Sequence, residues 1–238
     1  MNVYRTEQLL SSKDVNMFRR LRSSVLFELM QDIAEQQNEL LGLGRAAAQE
    51  LGLFWVLVRQ RAEISRMPER GERITLETWP GRTRHMLFPR YYRMLDASEA
   101  VLLSAASVWT LVDRESRKMV SPEKYSLSIP CEVTGNEIAL PRPMKFIRDG
   151  ANGAFTVPFS YIDMNGHMNN ARYLDLAEDG SAFAGSGKPL NEITVEYSAE
   201  AHVGDKLSLC RRETGSSAAV SGSSGGKKIF SAVLQYRE

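Results

Sequence analysis

Residues 22–41 read RSSVLFELMQDIAEQQNELL, and the spacing of apolar residues in this stretch decides the fold class. Val25, Leu26, Leu29, Met30, Ile33, Ala34, Leu40 and Leu41 recur at helical intervals and form one wide apolar face. The Gly-Leu-Gly at 42–44 stops that helix, and RAAAQEL at 45–51 predicts a short second one. From Leu53 the chain changes character, to LFWVLVRQRAEIS (53–65), RITLETWPGRTR (73–84), MLFPRYYRMLDA (86–97) and AVLLSAASVWTLVDRES (100–116). These runs are rich in β-branched and aromatic residues, and turn signals such as PERGE and DASEA separate them. A helix followed by four long strands predicts an antiparallel sheet with the helix packed on one face.

The stretch 121–152 holds four prolines and little periodicity, so it reads as a connector over the surface. Beyond it the plan repeats. AFTVPFSY (154–161) is strand-like, NARYLDLAEDGSAF (170–183) is helical, and four strand-like runs follow: 191–201, 205–214, 216–222 and 227–238. Helix then antiparallel strands occurs twice, which predicts an internal repeat. Its residue-level trace is Asp14-Val15-Asn16 ahead of the first helix, against Asp163-Met164-Asn165 ahead of the second. In that alignment Phe18 stands where His167 would fall.

The chain has 238 residues, 30 basic and 29 acidic, and 43% apolar residues. A net charge of +1 argues against a nucleic-acid or membrane-surface field over the whole protein. The start MNVYRTEQLL lacks a signal-peptide pattern, no apolar run reaches a membrane span, and Cys131 and Cys210 form no CxxC. A cytoplasmic protein without metal or cofactor is the expectation. Arg82, Arg84, Arg90 and Arg93 predict a solvated strand face, with a docking patch as the alternative.

Two motif matches fail on context. GLGRAA at 42–47 fits a dinucleotide loop, but a helix precedes it where a strand is required. GSSGG at 222–226 fits a nucleophile elbow, but the following KKIFSAVLQYRE alternates like a strand, so Ser224 belongs to a hairpin loop.

YIDMNGHMNN at 161–170 is different. Asp163, Asn165 and His167 stand at alternate positions, and Asn169 and Asn170 follow at once. One of the last two suffices to cap the coming helix, which leaves three polar groups without a structural task. Imidazole titrates near neutrality, a carboxylate fixes its tautomer, and an Asn amide donates to a developing oxyanion without changing protonation state. Such a set suits hydrolysis of an activated acyl group by water. A second carboxylate would take the water's proton, and Glu196 and Glu200 are the candidates, four apart in one predicted strand and so on one face.

Taken together, these residues resemble the acyl-acyl carrier protein thioesterases, a double hot-dog family. The D-x-N-x-H-x-N-N-x-x-Y stretch of that family is similar to Asp163, Asn165, His167, Asn169, Asn170 and Tyr173 here, and its EYRREC strand to EYSAEA at 196–201. The first half is similar in its W-V-L-x-R segment (Trp55 to Arg59), its E-T-W-P segment (Glu77 to Pro80) and its S-x-W-x-x-x-D-x-x-x-R segment (Ser107, Trp109, Asp113, Arg117).

The resemblance implies an α+β fold of two tandem hot-dog units: 1–125 with the acyl-chain pocket, 126–152 as connector, and 153–238 with the catalytic residues. It implies hydrolysis of fatty acyl-acyl carrier protein by Asp163, Asn165, His167 and Glu200, without cofactor or metal, and leaves a homodimer open. Ala201 stands where plant members often carry Cys, so a cysteine route is closed. In this reading a partly buried Glu200 with a raised pKa, or His167, is the base. Asp163 orients the network, and Asn165 with backbone N–H groups of the second helix polarises the carbonyl. A mixed anhydride on the carboxylate is the alternative chemistry, and His202 is a lesser candidate placed on the side of Glu200. The helix at 22–41 and the sheet facing it would form a tube for the fatty chain. An acyl-CoA thioesterase, a non-catalytic acyl-thioester binding module and a hydratase are the rival functions.

Overall fold

The structure is a computed structural model that describes residues 3–125, 127 and 129–238. The first half contains β1 (Tyr4–Leu9), α1 (Ser23–Leu40), α2 (Arg45–Glu50), β2 (Leu53–Ile64), β3 (Arg73–Pro80), β4 (Phe88–Leu95) and β5 (Val101–Asp113). The second contains β6 (Ala151–Thr156), α3 (Arg172–Asp179), β7 (Leu190–Tyr197), β8 (Lys206–Thr214), β9 (Ser217–Ser224) and β10 (Lys227–Tyr236). All ten strands form one antiparallel sheet in the order β1-β3-β4-β5-β2-β7-β10-β9-β8-β6. The pairing of β1, β2, β3, β4 and β5 repeats in β6, β7, β8, β9 and β10, so this is a double hot-dog. Strand β1 is the element the sequence reading missed. As an edge strand half-open to water, its YRTEQL carries too few apolar residues to announce itself.

Helix α1 matches the predicted span to within a residue. Leu26, Phe27, Met30 and Ile33 are almost fully buried, and each contributes about 1.5–3 kcal/mol of transfer free energy, far more than helix propensity does. Its end is a Schellman motif. Gly42 has φ 69°, Gly42 N–H donates to Glu39 C=O and Leu43 N–H to Asn38 C=O. Helix α3 is shorter than predicted and stops at Gly180. Both helices lie against one continuous apolar face that runs from Ile74 and Met94 through Ala62 and Ile193 to Phe230 and Leu234.

The halves meet at β2 and β7. Arg59 opposes Glu196 and Arg61 lies beside Glu192, with contacts of 3.5 and 2.7 Å. Gln60 and Ala62 with Val195 and Ile193 are buried at the same seam. The Arg of the W-V-L-x-R segment is therefore a seam residue. Glu196 also accepts the backbone N–H of Met144, so it ties the connector down. Trp79 of the E-T-W-P segment does the same further along, its indole N–H bonded to Glu137 at 3.0 Å.

The expected solvated face of arginines is not found at two of its positions. Arg90 is buried and bonds Gln37 and Asn38 of α1 and Thr78 Oγ1, while Arg93 pairs with Glu77. Desolvation holds the Arg90 pKa below its ordinary value. This polar layer ends the apolar stripe of α1 one turn past Ala34. No helix among the described residues is long and apolar enough to cross a membrane.

The GSSGG segment ends β9 in a two-residue hairpin loop, Gly225 and Gly226, both with positive φ as a type I′ turn requires; Ser224, expected in the loop, is the last strand residue and pairs with Lys227. Its first glycine has a packing role. A Cβ on Gly222 would come within 2.4 Å of the buried Phe230 ring, which lies across it. Gly222→Ala is expected to destabilise by about 1–3 kcal/mol through overpacking, measured by denaturant unfolding. An unchanged midpoint would mean that Phe230 has room to move.

Candidate active site

The loop 161–170 enters α3 through a tight turn. Asp163 N–H donates to His167 C=O, Gly166 N–H donates to Asp163 C=O, and Gly166 takes φ 83°. Inside the turn Asp163 Oδ1 accepts Asn165 N–H at 2.8 Å, and Asn165 Nδ2 donates to Asp163 Oδ2 at 3.2 Å. The His167 Nδ1 lies 3.6 Å from Asp163 Oδ2 and 3.5 Å from Met168 C=O. Both neighbours are acceptors, so the proton belongs on Nδ1 and Nε2 carries the free lone pair. The sequence-predicted trio is thus one cluster, with Asp163 and His167 half-buried and Asn165 exposed.

The same turn occurs in the first half, two residues away from where the sequence alignment put it. Asn16 Oδ1 accepts the N–H of Phe18 and Arg20, Arg19 N–H donates to Asn16 C=O, and Arg19 takes φ 65°. By backbone geometry Asn16 matches Asp163, Phe18 matches Asn165, and Arg20 matches His167. Arg20 binds Gly187 C=O instead of serving any polar cluster. The repeated D-x-N letters misled because the turn is registered by its left-handed residue.

Asn169 shapes the turn into α3, its Oδ1 accepting Ala171 N–H at 2.9 Å, while the N-cap position itself is Ala171 and carries no side-chain cap. Asn170 reaches away from the turn. Its side chain meets Gln31 of α1 at 3.5 Å, and its C=O accepts from the Tyr197 hydroxyl at 3.1 Å. Gln31 in turn donates to Glu35. The Glu35 pKa is raised by desolvation first, and the Asp163 carboxylate adds to the rise. Helix α1 therefore presents Gln31 and Glu35 to the loop of the second half. Sequence reasoning missed both, because they sit on the polar face of an amphipathic helix like any solvated residue.

Glu200 departs from expectation in its setting. Strand β7 ends at Tyr197, so Glu200 lies in the loop beyond it and the strand-parity argument does not reach it. It is exposed rather than partly buried, and Arg117 Nη2 donates to its Oε2 at 3.0 Å. The loop is still held against the cluster. Met168 N–H donates to Ala201 C=O at 2.7 Å, and Ala201 is buried. The buried Tyr173 phenol lies against the Ala201 backbone, and desolvation raises its pKa, with Glu200 and Asp163 both adding to the rise. His202 turns elsewhere: its N–H bonds Asp205, its ring faces the same carboxylate, and it is exposed. Cys131 is exposed in the connector and Cys210 is buried in β8.

Arg117 is the residue whose place the motif concealed. Asp113 Oδ1 accepts the N–H and hydroxyl of Ser116, and the turn it closes leaves Arg117 at φ 56°. The guanidinium sits 5.1 Å from the Phe54 ring centroid and bonds Glu200. An exposed ion pair contributes about 0–1 kcal/mol, while a left-handed non-glycine residue costs about as much. Stability alone does not account for the arrangement. A cavity of about 590 Å3 lies elsewhere, beneath Met144–Asp149 of the connector and against Ala219 and Val233.

Comparison with known proteins agrees with this architecture. Residues 1–126 match the acyl-ACP thioesterase N-terminal domain and residues 144–235 the acyl-ACP thioesterase C-terminal domain. A chloroplastic palmitoyl-acyl carrier protein thioesterase of Cuphea hookeriana is 22% identical over 214 residues, which cover 83% of this chain and 52% of that relative. The chain thus spans about half the length of the plant relative. The crystal structure of an acyl-ACP thioesterase from Bacteroides thetaiotaomicron superposes with a TM-score of 0.88 at 23% identity, covering 99% of this chain and 98% of the other. The 12:0-ACP thioesterase from Umbellularia californica gives 0.85 at 19%, covering 100% and 98%. These likenesses establish the double hot-dog fold, and the paired domain matches establish that the chain belongs to the acyl-ACP thioesterase family.

Proposed function

We propose that this chain hydrolyses the thioester of fatty acyl-acyl carrier protein, releasing the free acid and the carrier thiol. The observation that carries this reading is the Asp163–Asn165–His167 cluster, pinned beside the Glu200 loop by the Met168–Ala201 hydrogen bond. A water held between His167 Nε2 and Glu200 attacks the carbonyl carbon, and its proton passes to one of these two acceptors. Asp163 keeps the imidazole in the Nδ1–H tautomer. Asn165 spends one N–H on Asp163 and has a second for the carbonyl oxygen, joined by backbone N–H groups at the start of α3. The carbon–sulfur bond then breaks, and the leaving sulfur is protonated.

In this reading 153–238 supplies the chemistry, 1–125 receives the acyl chain along α1, and 126–152 connects them. Thiol release measured across acyl-carrier proteins of graded chain length, and from the same acyl groups on CoA, tests the assignment. Faster turnover on CoA would reject the carrier-protein substrate. Tight binding of an acyl thioester without thiol release would reject catalysis.

A further inference from the structure

Resting on the role given above to Glu200, we propose that Arg117 is a positioning residue for that carboxylate, carried into the second half's site by the first half of the chain. Glu200 lies in a loop past the end of β7, so no strand hydrogen bonds fix its side chain. What fixes it is Arg117, 83 residues earlier, whose Nη2 donates to Oε2 at 3.0 Å. Arg117 is held in turn at two points. Its backbone N–H donates to Asp113 C=O within the turn that the Asp113 side chain closes, and its guanidinium stacks over Phe54 at the start of β2. With Oε2 engaged by Arg117, Oε1 is the oxygen left for the attacking water. The charge pair keeps the carboxylate in one rotamer without burying it, which packing alone does not do for an exposed side chain. This also accounts for why the motif ends in an arginine four residues after its aspartate: the aspartate builds the turn and the turn aims the arginine.

The test uses the full chain with acyl-carrier protein as substrate and four variants: Arg117→Gln, Arg117→Lys, Glu200→Gln and the double variant Arg117→Gln/Glu200→Gln. Arg117→Gln is expected to lower kcat about 10- to 100-fold with KM little changed, the size of effect that a misplaced reacting group produces. Arg117→Lys should recover most of that loss, and in the Glu200→Gln background Arg117→Gln should cost nothing more. Wild-type kcat in Arg117→Gln, alongside a crippled Glu200→Gln, would overturn the positioning role and leave Glu200 in place. A rise in KM alone would assign Arg117 to carrier docking and overturn it equally. Full activity in Glu200→Gln would instead remove the carboxylate from the mechanism, and the inference with it.

Discussion

Asp163→Asn, His167→Ala and Glu200→Ala are each expected to lower kcat by about 10²- to 10⁴-fold while the chain folds normally. The first of these is the most informative, because the molecule already contains its structural control. In the first half Asn16 makes the same turn that Asp163 makes in the second, accepting the N–H groups of Phe18 and Arg20 through its side-chain oxygen. An asparagine at 163 therefore keeps the turn through its Oδ1, while an uncharged NH2 donor replaces the Oδ2 acceptor that faces Asn165 Nδ2 and His167 Nδ1. His167→Ala removes a half-buried ring whose contacts are at 3.5 and 3.6 Å, so little stability is lost with it. Single-turnover thiol release with unfolding curves on the same preparations separates chemistry from folding. Near wild-type hydrolysis in all three variants would mean that the reaction centre lies elsewhere.

The second large effect concerns Glu178, on the face of α3 that meets the start of α1. Its Oε1 accepts the Ser23 hydroxyl at 2.8 Å. Desolvation, with Asp175 and Asp179 adding to it, pushes its pKa from 4.5 up to about 7. The folded chain thus holds this proton more tightly than the unfolded chain. Stability is fully present below about pH 4.5 and falls as the pH rises through about 7. Glu178→Gln keeps an acceptor for Ser23 and has no charge to bury. It should be more stable than the parent at pH 8 by up to about 3 kcal/mol, a ceiling because the residue keeps some solvent contact, and equal to it near pH 4. Chemical denaturation at the two pH values measures this. Equal stability at pH 8 would show that water reaches the carboxylate freely.

Where the chain repeats a period, its letters were enough. The stripe from Val25 to Ala34 located α1, and β-branched runs located the four longer strands of each half. Side chains joined across the fold were less legible. Arg90 looks like any strand arginine until α1 is laid across β4, and Gln31 and the exposed Glu35 look unrelated to the site until the loop at 161–170 is placed beside them. The cluster Asp163, Asn165 and His167 was readable because a tight turn gathers neighbours in sequence. Pattern offered Glu196 and Glu200 alike, and only the resemblance chose Glu200. Its exposure and its tie to Arg117 depend on where β7 stops, and strand ends are set by pairing partners that a single stretch does not reveal.

The two copies of the turn carry a consequence for stoichiometry. Two separate hot-dog chains meeting as a symmetric dimer would carry two equal copies of every loop, and so two equal sites. Here the halves are fused through β2 and β7, and the copy at Asn16, Phe18 and Arg20 keeps the bend but not the reactive groups. One chain should therefore saturate with one equivalent of a non-hydrolysable thioether analogue of an acyl-pantetheine in isothermal titration. Two equivalents per chain would mean that the first half holds a working pocket of its own.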